Sequence, residues 1–170
     1  MGNDVPVSRP EIPGVEIREA TLADVSIIGD NLRQADREEV EASSGENPTL
    51  VMLMGLHGRC FVAVEDDDPF LIFGVVPDER DDRVGIIWLM GTDKTSKFPL
   101  TFLRQSKQWV EELGEGYEVL MNVIDERNSM HLTWLEWLGF EVVHRFEEYG
   151  VARLPFLLFE RRFPCVPPEK

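Results

Sequence analysis

Residues Tyr117 to Phe140 read YEVLMNVIDERNSMHLTWLEWLGF, and this stretch decides the fold. Tyr117 to Ile124 is dense in β-branched and apolar residues and reads as a buried strand. Asp125-Glu-Arg-Asn128 turns the chain, and Asn128 stands where a helix N-cap belongs. A helix follows, with Met130, Trp134, Trp137 and Leu138 on one face, and Gly139 stops it. Phe140 opens the next strand, FEVVHRF.

Working outward, Val15 to Ala20 reads as a short strand after a proline-rich arm, residues 1–14. Thr21-Leu-Ala-Asp24 is a capping-box-like start of a helix through Leu32, and a charged helical stretch, RQADREEVEASSG, runs to Gly45. Pro48 suits the first position of a third helix. Three strands come next: RCFVAVED and PFLIFGVVP as a hairpin with a longer loop at Asp66-Asp67-Asp68, then RVGIIWLMG. From Pro99 a helix runs to about Leu113, burying Phe102, Leu103, Ser106, Trp109, Val110 and Leu113. FEVVHRFEEY and LPFLLFERR are the last strands, and the prolines of residues 164–170 make an extended tail. Trp88, Trp109, Trp134 and Trp137 are read as packing between helix and sheet.

The chain has 170 residues, 43% of them hydrophobic, which suits one domain with a substantial core. A formal charge of −15 argues against nucleic acid and membrane as partners and allows a basic protein partner. Cys60 and Cys165 form no disulfide framework, so a reducing compartment is expected. The polar N-terminus is not a signal peptide, and no apolar run has the length of a membrane span. His57 and His144 have no metal-ligand spacing, and no metal is expected.

The strand, the Asn-led helix and the closing LGF resemble the C-terminal half of the GNAT (GCN5-related N-acetyltransferase) fold. The whole element order over residues 15–163 is similar to it. The resemblance implies an α+β single domain: a central mixed, mostly antiparallel sheet flanked by helices on both faces. LMNVIDERNSMHLTWLEWLGF, followed by EEYGVARLPFLLFERR, resembles a bacteriophage-encoded GNAT-like family, the one that includes the internal virion protein A of short-tailed coliphages. LRQADREEVEASSG fits that family too.

The resemblance places acetyl-CoA or CoA at the end of the fourth strand. The segment there, Gly91 to Lys107, lacks the glycine-rich pyrophosphate loop of active relatives. It does carry Lys94, Lys97, Arg104 and Lys107 with no acid between them, which suits an anionic ligand. The implied cofactor-binding residues are Gly91, Thr92, Lys94, Thr95, Lys97 and Asn128. Asn128 has two readings, support of the coenzyme arm or a plain cap. Asn122 either holds the two central strands apart or faces solvent.

Many relatives place a proton-donating tyrosine four residues before the LGF glycine; here that residue is Leu135. Tyr117, Tyr149, His131 or water remain as donors, and Tyr149 joins the candidate catalytic set. Arg33, Asp36 and Glu39 share one side of the charged helix, which borders the acceptor site in the fold; Asp36 and Glu39 are the candidate bases.

Three functions follow. The first is a virion or assembly component with degenerate acyltransferase machinery, found in host cytoplasm or virion, its partners phage structural proteins or another protein, an oligomer included. The second is an active acetyl-CoA-dependent N-acetyltransferase acting on an amine or a protein lysine, with backbone N–H groups near Leu89–Gly91 polarising the thioester. The third is an inhibitor of a basic host protein.

Overall fold

The structure, a computed structural model, describes residues 12–97 and 100–164, and only the backbone of residues 100–104. Most of the expected tail and of the expected arm therefore lies outside the described residues, as do the side chains of Phe102, Leu103 and Arg104.

Strands β1 (Glu16–Glu19), β2 (Arg59–Glu65), β3 (Asp68–Pro77), β4 (Val84–Gly91), β5 (Val119–Asp125), β6 (Glu141–Tyr149) and β7 (Leu154–Arg162) form one sheet in the order β1-β2-β3-β4-β5-β7-β6. Every neighbouring pair is antiparallel except β4 and β5, which are parallel. The helices are α1 (Leu22–Asp30), α2 (Gln34–Ser43), α3 (Pro48–Gly55), α4 (Leu100–Gly114) and α5 (Ser129–Trp137). None of the described helices is long and apolar enough to cross a membrane.

Strand alternation divides the core. Phe61 and Ala63 of β2 join Phe73, Trp109, Val110, Leu113, Leu120 and Phe159 under α4 and α5. Cys60, Val62 and Val64 face the other way, onto Val25, Ile28, Val40 and Met52 of the first three helices. A strand segment buried on both faces must be apolar at every position, as β2 is from Cys60 to Val64. Trp109 anchors the first layer, its ring 5.0 Å from Phe61 and 5.8 Å from Phe73. Burial raises the Cys60 thiol to about 12, so it stays protonated.

The local signals at the first helices hold. The Thr21 hydroxyl accepts from Asp24 N–H, and the Asp24 carboxylate accepts from Thr21 N–H at 2.8 Å. Asn47 caps α3 and Pro48 opens it. Two local expectations are corrected. The β2–β3 connection is a tight turn rather than a longer loop, because Asp66 and Asp67 both adopt positive φ, 51° and 60°. In α5 the inward residues are His131, Leu132 and Leu135, followed by Leu138 at the C-cap, whereas Trp137 is 37% exposed with the Lys107 ammonium 4.2 Å from its ring centre. The face expected from Met130 and Trp137 is displaced because His131 is drawn inward by polar partners.

The β6–β7 turn is docked on α2. Val151 N–H donates to Ser43 O at 3.2 Å and Ala152 N–H to Ala42 O at 3.1 Å, satisfying carbonyls the helix end leaves open. Gly150 makes this approach possible: its φ is 66°, and a Cβ there would collide with the carbonyl oxygens of Ala42 and Ser43. Gly150→Ala is expected to cost about 2–4 kcal/mol, read as a lower denaturant midpoint at unchanged slope. An unchanged midpoint would show that the turn is not held against α2.

Candidate active site

The parallel pair β4–β5 stays in register only from Val84↔Val119 to Ile86↔Met121. Beyond that point the strands part and a cleft of about 980 Å³ opens, lined among others by Trp88, Leu89, Val123, Glu39, Tyr149 and Phe156. Asn122 sits at the parting. Its Nδ2 donates to Ile87 O at 2.8 Å and its Oδ1 accepts from Val123 N–H at 2.7 Å. One amide thus takes a group from each strand that continued pairing would have used. Of the two readings of Asn122, the structure carries the one in which it holds the splay.

At the open end, α2 spans the gap. Asp36 Oδ2 accepts from Gly91 N–H of β4 at 2.9 Å, and Glu39 Oε2 accepts from Asp125 N–H of β5 at 3.1 Å. Arg33 N–H donates to Gly91 O at 2.9 Å. The Arg33 guanidinium donates to Asp36 Oδ1 at 2.8 Å and Asn128 Oδ1 at 3.2 Å. Asn128 Nδ2 in turn reaches Glu39 Oε2 and His131 Nδ1, both at 3.1 Å. Arg33, Asp36, Asn128 and His131 are buried, each 7% exposed or less.

The neighbours fix the protonation pattern. Asn128 presents oxygen to a guanidinium and its amide hydrogens to a carboxylate, so His131 Nδ1 accepts and the ring hydrogen stands on Nε2. Burial lowers His131 to about 4, and the ring is neutral at physiological pH. Glu39 is the opposite case. Burial raises it to about 7, against the pull of its bonds to Asn128 and the Asp125 amide. Asp125 is pushed up by burial, yet the hydrogen bonds of Arg127 hold it below the usual carboxylate range. Glu39 has no ion pair among the described residues.

The sequence-derived residues now have places. Asp36 is tied to Arg33 and Gly91, and Glu39, one turn further along α2, faces the cleft. Tyr149 lines the cleft from the β6 side, stacked between Phe146 and Phe156. Asn128 precedes α5, but its side chain makes no cap bond; the plain-cap reading is corrected, because the buried partners Arg33 and Glu39 outcompete the helix amides.

Gly91 does not present a free N–H, since Asp36 holds it. Lys94 points away from the expected anion site, to Glu65 at 2.9 Å and Asp68 at 3.1 Å on the β2–β3 hairpin. Thr92 pairs with Phe70 O, and the Thr95 hydroxyl donates to Thr92 O, so both stabilise the short 3-10 helix Asp93–Lys97. Lys97 is exposed and has no ion pair among the described residues.

The sequence pointed to backbone N–H groups near Leu89–Gly91; the structure narrows these to Leu89, and it adds what the sequence did not show, the place of His131 in the buried network with Asn128. Thr92 N–H bonds to Phe70 of β3, so even-numbered residues face β3 and odd ones face β5. On the odd edge, Ile87 O and both groups of Gly91 are taken. Leu89 lies between them with no described partner for its N–H and C=O, beside a strand that has moved away.

The architecture matches solved structures along nearly its whole length. A GCN5-related N-acetyltransferase from Kribbella flavida superposes with a TM-score of 0.68 at 17% identity, over 89% of this chain and 99% of the other. The chain has the GNAT fold. The yncA protein of Salmonella typhimurium, solved with its cofactor acetyl-CoA, gives 0.70 at 15% identity over 91% and 98%. A ribosomal-protein-alanine N-acetyltransferase from Brucella melitensis gives 0.63 at 17% identity over 87% and 99%. No family model and no curated protein matches the sequence. At these identities the GNAT likeness carries the fold, and chemistry has to come from the site.

Glu39 also yields a stability test. Its folded value of about 7 lies above the ordinary 4.5, so the folded state binds the proton more tightly. Its contribution is therefore full below about pH 4.5 and is lost as pH rises through about 7. Glu39→Gln, which keeps an accepting oxygen, is expected to stabilise the protein by about 1–3 kcal/mol at pH 8 and by almost nothing at pH 4.5. Denaturant titrations at the two pH values check this; a difference that does not widen with pH contradicts it.

Proposed function

We propose that the chain is an N-acyltransferase that moves an acyl group from an acyl-coenzyme A thioester to an amine held at Glu39. The observation that carries the reading is one cleft holding both a carboxylate raised to about 7 and the peptide edge of Leu89, which has no partner among the described residues. The cleft fits an acyl-pantetheine arm, which is narrow, largely apolar and amide-bearing, and Leu89 offers that arm a strand-like edge. When bound, the coenzyme supplies the acyl group in activated thioester form.

The chain's own residues do the rest. Leu89 N–H points at the acyl oxygen and stabilises charge developing there. Glu39 takes the proton from the attacking amine as the C–N bond forms and the C–S bond breaks. Tyr149 gives a proton to the departing sulfur. Lys97 and the start of α4 face the coenzyme phosphates. The likeness in fold to the Salmonella protein, solved with acetyl-CoA, supports the choice of coenzyme.

A second reading has its own observation. Asn128, Gly91 and Lys94, three groups the resemblance assigns to the coenzyme, are satisfied inside the protein. That favours a phage-type scaffold, a virion or assembly component whose acyltransferase machinery has decayed.

Calorimetric titration with acetyl-CoA at low salt, paired with an acyl-transfer assay, separates the two. The acyltransferase reading predicts micromolar binding weakened by Lys97→Glu. It also predicts kcat/KM rising through about pH 7, with a loss of about a hundredfold in Glu39→Gln. No binding up to millimolar ligand would overturn it in favour of the scaffold.

A further inference from the structure

Four aromatic rings run from the sheet edge into the cleft. His144 meets Phe146 edge-to-face at 4.6 Å, Phe146 meets Tyr149 at 5.3 Å, and Tyr149 meets Phe156 at 4.9 Å. Exposure falls along the row: His144 is exposed, Phe146 and Tyr149 are half-buried, and Phe156 is 0% exposed. The inner two rings line the cleft that Glu39 faces. The row is also fixed relative to that carboxylate, because the turn after Tyr149 is bonded to Ala42 and Ser43, one helical turn beyond Glu39. Scattered exposed rings are ordinary on a protein surface; a graded row whose inner end lines the same cleft as the half-buried Glu39 is a surface for a flat ligand.

The charges narrow the ligand further. Asp36 is held by Arg33 and Gly91, Asp125 by Arg127, and Asp78 folds back onto the amides of Arg80 and Asp81. Glu46 and Glu79 stand at the exposed rim and draw cations inward. Inside, Glu39 is a carboxylate with no cation partner among the described residues, which suits one ammonium centre rather than several.

We propose that the acceptor is an arylalkylamine, a primary amine on an aromatic body laid along the ring row with its nitrogen at Glu39. This rests on the reading of the cleft as an acyl-transfer site. The products are the N-acyl amide and the free thiol: the amine nitrogen gains the acyl carbon, Glu39 takes the amine proton, and the sulfur leaves with a proton.

The test compares 2-phenylethylamine, hexylamine and spermidine by calorimetry and by acyl transfer. It uses the whole chain, Phe146→Leu, which keeps apolar volume without a ring, and the exposed His144→Leu. We expect 2-phenylethylamine to bind at least about tenfold tighter than hexylamine, an advantage cut to about threefold or less in Phe146→Leu and reduced in His144→Leu. Acetyl-CoA affinity should be unchanged in both variants. Equal affinity for the two monoamines, binding of neither, or preferential turnover of spermidine would overturn the arylalkylamine assignment while leaving acyl transfer to be judged on its own assay. Preferential binding of 2-phenylethylamine without transfer to any amine would uphold the aromatic-amine site and remove the acyltransferase reading.

Discussion

A strand that leaves its neighbour strands its own peptide groups, and buried peptide groups need partners. β4 and β5 part after Ile86 and Met121, so the central sheet is possible only if the groups beyond that point are paired some other way. The protein solves this with side chains. Asn122 closes the narrow end, while Arg33, Asp36 and Glu39 of the α2 region bridge the wide end from Gly91 to Asp125. What remains is Leu89, whose peptide group on that edge of β4 has no partner among the described residues and is open to a ligand.

The bridge also explains the electrostatics. Three carboxylates, Asp36, Glu39 and Asp125, converge where two guanidiniums, those of Arg33 and Arg127, are available. Asp36 and Asp125 take them, and Glu39 is left with amide donors alone. Its raised value is the consequence, since amide bonds do not repay the loss of water around a carboxylate. The side chain that helps to span the gap is thereby also the one poised to exchange a proton near neutrality. Structure and chemistry meet in one residue, at a cost in stability that the rest of the core offsets.

Much of this was legible in the sequence, and what was not has a common cause. The strand from Tyr117, the alternation in β2 and the Thr21–Asp24 box are local patterns, and they fold as they read. Asp36 and Glu39 were recognisable because helix spacing alone puts them on one side. Asn128 and Lys94 were misjudged because their partners are distant in sequence: Arg33 lies 95 residues from Asn128, and Asp68 lies 26 from Lys94. A capping propensity near 1 kcal/mol is easily overridden by a charged hydrogen bond in a buried site. The tight turn at Asp66-Asp67 was missed because two consecutive aspartates at positive φ are a less common choice than Asn-Gly. The aromatic row was invisible for a similar reason, since bulges in β6 and the β7 pairing bring His144, Phe146, Tyr149 and Phe156 together.

The claim at the centre is that α2 seals the wide end of the splay and leaves Leu89 open. Amide hydrogen exchange in the absence of ligand tests it residue by residue. The account predicts that Gly91 and Asp125, held by Asp36 and Glu39, exchange only through large-scale unfolding, whereas Leu89 on the same strand edge exchanges orders of magnitude faster. Leu89 protected as strongly as Gly91, or Gly91 and Asp125 exchanging as fast as Leu89, would contradict it.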